Sequence, residues 1–83
     1  MRIVYLSGTR ADIAWMRAYY TRVFPAGAEH ARAHFRAAEK MLSANPEIGR
    51  ATEFSGVREL VIARTPFSFF YRVADDRIEV LRV

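Results

Sequence analysis

Proline cannot continue a helix or take part in the interior of a sheet, because its φ is fixed and it has no backbone N–H to donate. In this chain the prolines stand at positions 25, 46 and 66, within Pro25-Ala26-Gly27, Asn45-Pro46-x-x-Gly49 and Thr65-Pro66. These breaks divide the sequence into segments that each hold one or two regular elements. The 83 residues form one domain spanning 1–83. A chain of this length buries only about 60% of its unfolded surface, so its core is thin and support from a partner is expected.

Each segment has its own signature. Arg2 to Leu6 is rich in β-formers, and Thr9 offers an N-cap to a helix over Arg10–Val23, with Asp12 at the third position of a capping box. Ile13, Met16, Tyr20 and Val23/Phe24 recur at helical spacing as its buried stripe. After Pro25-Ala26-Gly27, a second helix over Ala28–Ala44 turns Ala31, Phe35, Ala38 and Leu42 inward. Pro46 to Gly56 reads as a connecting loop, followed by strands over Val57–Arg64, Phe67–Val73 and Arg77–Val83, with Asp75-Asp76 as a hairpin turn. The expected fold is α+β in the order β-α-α-β-β-β.

In the middle strand of that set Phe67, Phe69, Tyr71 and Val73 share one face, and Ser68, Phe70 and Arg72 the other. The last strand sets Ile78 and Val80 against Glu79, Leu81 and Val83. Two helices cover only one face of a sheet, so Phe70, Leu81 and Val83 are left for a partner or for the long loop to cover.

Composition narrows the setting. With no cysteine there is no disulfide and no thiolate metal site, and a reducing cytoplasm is the expected location. The apolar run Ile3–Leu6 is too short for a signal-peptide core or a membrane span. The net charge is +4, and twelve of the thirteen basic side chains are Arg, Lys40 being the exception. Arg presents a planar fork suited to carboxylate and phosphate, although a GC-rich genome produces the same bias. The balance favours an acidic protein or nucleic acid as partner. Arg32, Arg36 and Lys40 repeat at i, i+4 as an anion-binding stripe, or as a solvated face relieved by Glu29 and Glu39. His30 and His34 are four apart but have no third ligand beside them, so neither a metal nor any other cofactor is expected. Trp15, Tyr19 and Tyr20 read as core or interface anchors before base-stacking groups.

Five pieces in register carry a resemblance: Asn45-Pro46-x-x-Gly49-Arg50, Gly56–Leu60, Arg64–Phe67, Tyr71-Arg72-Val73 and Ile78–Val83. Together they resemble the ParE-type plasmid-stabilisation toxins of the ParE/RelE superfamily. The resemblance implies an antiparallel helical hairpin packed on a twisted, mainly antiparallel sheet. It also implies a cognate antitoxin whose C-terminal, acidic segment wraps the toxin in a heterodimer or larger hetero-oligomer. Members of the ParE branch are associated with inhibition of DNA gyrase, whereas those of the RelE branch cut mRNA on the ribosome. Laid against the ribonucleases by Tyr71-x-Val73, the positions of their two Lys fall at Glu59 and Val61, and that of their strand Arg at Ser68. The chain ends at Val83, where both branches commonly continue, and this too counts against ribonuclease activity.

The expected function is therefore that of a type II toxin acting by binding, with no catalytic residue assigned. Arg58, Arg64, Phe70, Tyr71, Arg72, Leu81, Arg82 and Val83 are the candidates for contact with antitoxin or target. Two alternatives stand beside it: a ribosome-dependent endoribonuclease using Arg58, Arg64 and Arg82, and a non-toxic remnant that still binds antitoxin.

Overall fold

The computed structural model describes all 83 residues, Met1–Val83. Strand β1 (Arg2–Tyr5) leads into helix α1 (Thr9–Ala18), which continues through a π turn (Tyr19–Val23) and a 3-10 turn (Pro25–Gly27) into α2 (Ala28–Ala44). Strands β2 (Arg50–Ala51), β3 (Arg58–Val61), β4 (Ser68–Val73) and β5 (Arg77–Arg82) complete the chain. The five strands form one sheet in the order β1-β5-β4-β3-β2, in which β1 is parallel to β5 and every other pair is antiparallel. The expected α+β hairpin-on-sheet architecture is thus present with one extra strand. Part of the segment read as a loop, Arg50–Ala51, pairs with Glu59 and Arg58 and lengthens the sheet edge. Two residues are too few for alternation to show in the sequence.

The core lies between the helices and one sheet face. Ala38 and Leu42 of α2 pack on Phe69, Tyr71, Ile78 and Val80 of the central strands, with Ile62 and Phe67 closing one end. This stripe on α2 is the one its spacing predicts. On α1 the prediction holds only in part: Met16 and Tyr20 pack against the core, while Val23 and Phe24 are 68% and 50% exposed. The π turn is the reason, since the Phe24 amide bonds to the Tyr19 carbonyl at 2.9 Å. One extra residue in a turn rotates the residues beyond it off the helical stripe. Gly27 lies beneath the displaced Phe24 ring, and a Cβ there would stand 2.2 Å from it.

The start of α1 also departs from expectation. Gly8, not Thr9, is the cap, and it makes no side-chain cap bond. Thr9 is buried and its hydroxyl donates to the Leu6 carbonyl at 2.7 Å. Asp12 has turned away from the helix end to meet Arg82 at 2.7 and 2.9 Å and to accept the Val83 amide at 3.1 Å. A charge-assisted fork plus a backbone donor outweighs a single capping bond.

The last strand carries a second phase change. Register shifts between Phe70 and Tyr71, so that Phe70 faces Arg82 while Tyr71 faces Val80, and Leu81 becomes the extra residue of a bulge. Beyond it the alternation is inverted, and Val83 packs against the core instead of joining the open face. At the tight turn after β3, Arg64 takes a left-handed φ of 60°, and Thr65 secures the turn with its hydroxyl 2.8 Å from the Ile62 carbonyl.

Candidate protein-binding site

The sheet face away from the helices is bare of any covering element but is not a free array of charge. Glu79 lies cross-strand from Arg72, takes its Nε at 2.6 Å and receives Arg77 at 3.0 Å on its other oxygen. These arginines hold the Glu79 carboxyl below the usual carboxylate range, against a smaller opposing effect of burial. Glu59 lies opposite Phe70 and is held at 2.6 Å by Arg50. Its carboxyl is likewise lowered, by Arg50 first and Ser68 second. Arg77 also meets Asp76 at 2.9 Å, and Arg2 stands 3.9 Å from the same carboxylate. Half-buried Phe70 and Leu81 are set among these pairs. Glu59, Val61 and Ser68 fall together on this face, Val61 directly opposite Ser68.

The sequence-derived candidates fall into groups. Arg72 and Arg82 are already engaged, the latter by Asp12, whose carboxyl Arg82 and the Val83 amide together keep below its ordinary value. Arg58 points to the helical side, where its guanidinium donates to the Gly49 carbonyl at 2.9 Å. Arg64 is exposed and makes no ion pair. Tyr71 is not at a surface at all. It is fully buried, and its hydroxyl accepts the Gly49 amide at 2.8 Å, which ties the start of β2 to the core. An aromatic on an alternating strand shows its face from sequence, but its depth depends on what packs above it. Val83, by the bulge described above, is likewise turned to the core.

Apart from Arg64 at the turn after β3, the charge that remains free lies on the helical layer. Arg10, Arg17, Arg22, Arg32, Arg36 and Lys40 are all exposed and none takes part in an ion pair. The stripe Arg32, Arg36 and Lys40 is therefore present on the surface of α2, with the arginines of α1 across from it. Between α1 and α2 opens a cleft of about 590 Å³ with Ile13, Met16, Phe35 and Ile62 among its lining and Arg17, Arg32 and Arg36 on its rim. Tyr5 stands in its wall and donates its phenol to Glu39. Burial first, then Glu39, push that phenol well above its usual range. Sequence spacing places Arg32 and Arg36 on one face but gives no sign of Arg17 opposite, because that depends on how far the helices splay.

Trp15, 62% exposed, stacks on Tyr19 and packs edge-on against Phe67, so the aromatic group at this end is both a core margin and an open surface. His30 and His34 have no third metal-ligating side chain near them. No helix is long and apolar enough to cross a membrane.

These features define a small two-layer α+β domain with one helical face and one bare sheet face. Over residues 3–83 the chain matches the family described as the ParE toxin of type II toxin-antitoxin system, parDE, and it belongs to that family. A solved structure from P. aeruginosa, titled a chromosomal ParDE TA system, superposes with a TM-score of 0.76 at 32% identity, covering 99% of this chain and 91% of that one. Among curated proteins, none matches the chain.

Proposed function

We propose that this chain is a cytoplasmic growth-arresting toxin that binds DNA gyrase without chemistry of its own and is neutralised by a cognate antitoxin in a heterodimer or larger assembly. Membership of the ParE toxin family carries the reading. Binding in place of catalysis is supported by the patch where the RelE-type ribonucleases carry their cations. Here that patch holds Glu59 paired to Arg50, aliphatic Val61 and the hydroxyl of Ser68. Held ionised by Arg50, Glu59 has no proton to give and repels a phosphate, and Val61 offers neither charge nor proton, so neither replaces the cations that orient and protonate a scissile phosphate. Of the arginines a substitute ribonuclease would use, Arg58 is bonded to the Gly49 carbonyl and Arg82 to Asp12.

The test is induced expression of the chain with and without its antitoxin, reading growth, plasmid topology and mRNA integrity. Arrest with disturbed topology and intact mRNA is expected, relieved by the antitoxin. Arrest with cut mRNA would favour the ribonuclease, and no arrest would mark a remnant that only binds.

A further inference from the structure

Trp15 is the chain's single tryptophan, and it is 62% exposed although one side of it is already covered. Tyr19 stacks on it with ring centroids 5.9 Å apart and planes 16° from parallel, and buried Phe67 makes an edge contact with it at 5.6 Å. Tyr19 also meets Phe67 edge-on at 5.8 Å, so the stacked pair is braced from behind by the margin of the core. The exposure therefore belongs to the other face of the indole, a flat π surface held in place with nothing upon it.

Its surroundings are cationic. Arg22 lies in the π turn, three residues beyond Tyr19, and Arg64 lies in the turn that leads into Phe67. Both are exposed and neither takes part in an ion pair. Asp12, the one acid of α1, stands a turn before Trp15 and is bonded to Arg82. Arg64 also holds its left-handed φ of 60°, which glycine adopts freely and an arginine only with strain. Strain kept at an exposed arginine is expected where the side chain has a contact to make.

We propose that Trp15 and Tyr19, with Arg22 and Arg64 beside them, form a site for single-stranded nucleic acid, where an unpaired base stacks on the open indole face and neighbouring phosphates meet the arginines. Every base has a π-face, so such a platform takes single strands with little regard to sequence. A base paired within a duplex has both faces covered and cannot use it. A protein partner is served less well, because its anchoring side chains need pockets to fill. Trp15 lines neither the cleft between the helices nor the hollow beside the start of α1. The site is also distinct from that cleft, whose lining includes Tyr20 but not Trp15, Tyr19, Arg22 or Arg64. It goes beyond the toxin reading and stands or falls apart from it.

A single tryptophan makes the test direct. Oligothymidylate of about 12 nucleotides, which has little structure of its own, is titrated into the full chain while indole fluorescence is followed. We expect saturating quenching. Affinity, read by anisotropy of labelled oligonucleotide, should fall roughly five- to hundredfold in Trp15→Leu, which keeps apolar bulk and loses the π-face. Arg22→Gln and Arg64→Gly should each lower the slope of log affinity against log salt by about 0.7, the share of one phosphate contact on a single strand. Because glycine suits a φ of 60°, Arg64→Gly should leave the urea midpoint undiminished, which separates a lost contact from a lost fold. Duplex DNA or polyglutamate quenching the indole with equal affinity would overturn the proposal. So would Trp15→Leu binding as tightly as wild type, or no quenching at all. Arg36→Gln losing as much affinity as Arg64→Gly would overturn it too, since the strand would then lie on the α2 stripe.

Discussion

Gly49 shows how a residue named for one reason is held for another. As part of Asn45-Pro46-x-x-Gly49 it marks a turn in the sequence, yet its place in the structure is set by a partner 22 residues away. A Cβ at this position would stand 2.6 Å from the Tyr71 hydroxyl and 2.9 Å from the Glu59 carbonyl oxygen. Backbone and a fully buried ring have little room to give, so Gly49→Ala should destabilise by about 1–3 kcal/mol, measured by urea unfolding. Tyr71→Phe leaves the Gly49 amide without its acceptor in a buried place and should cost about 1–3 kcal/mol by the same measurement. If Tyr71→Phe were neutral, the hydroxyl would not be the strut described. The arginines make the same point. Sequence locates Arg58 and Arg82 near the sheet, but their partners are a carbonyl at Gly49 and a carboxylate at Asp12, 70 residues from Arg82. Residue type announces what a side chain can bond, while folding decides whether the bond is made inside the chain or left for another.

At the scale of elements, periodicity was a good guide wherever an element kept one phase from end to end. The inward stripe of α2 and the inner faces of β4 and β5 up to Val80 follow from spacing alone. Sequence reading missed the places where phase changes. The π turn sends Val23 and Phe24 outward, and the bulge at Leu81 sends Val83 inward, because a single added residue rotates or inverts everything beyond it. Neither device has a residue signature of its own. The elements are tied together by carboxylates whose titration has a definite sign. Asp12, Glu59 and Glu79 are all lowered in the folded chain by arginine partners. A lowered folded value means the unfolded state binds protons more readily, so this stabilisation is present above the ordinary carboxylate range and is lost as pH falls through it. Urea midpoints should be flat between pH 7 and pH 5 and fall below about pH 4. Asp12→Asn should flatten that fall and loosen the join between the end of β5 and α1, seen as faster amide exchange at Val83. An unchanged acid profile would mean that the Asp12–Arg82 fork contributes nothing to folding.

Across the whole molecule, charge is largely separated by layer: the pairs of Arg50, Arg72 and Arg77 with carboxylates lie on the bare sheet face, whereas the free cations, Arg64 excepted, lie on the helical layer. Net charge alone, at +4, gives no hint of this division, since the neutralising partners are brought together by strand register and not by neighbourhood in sequence. Uncompensated charge on one face steers encounter with an acidic partner, and screening by salt weakens it over a Debye length of about 8 Å at physiological ionic strength. If, as the family resemblance implies, the antitoxin presents acidic side chains, association with it should slow as salt rises, and Arg36→Glu, which gives Arg32 and Lys40 an opposite charge at i, i+4, should slow it further without lowering the urea midpoint. On the proposed reading this ParE family member is a stoichiometric binder of gyrase. The decisive experiment is a supercoiling assay in which purified chain is titrated into gyrase, with an RNA substrate in a translating extract run in parallel. Supercoiling should stop as the chain reaches amounts comparable to the enzyme, antitoxin should restore it, and the RNA should stay whole. Supercoiling that continues at a large excess of chain while mRNA is cut at catalytic amounts would contradict a binding mechanism.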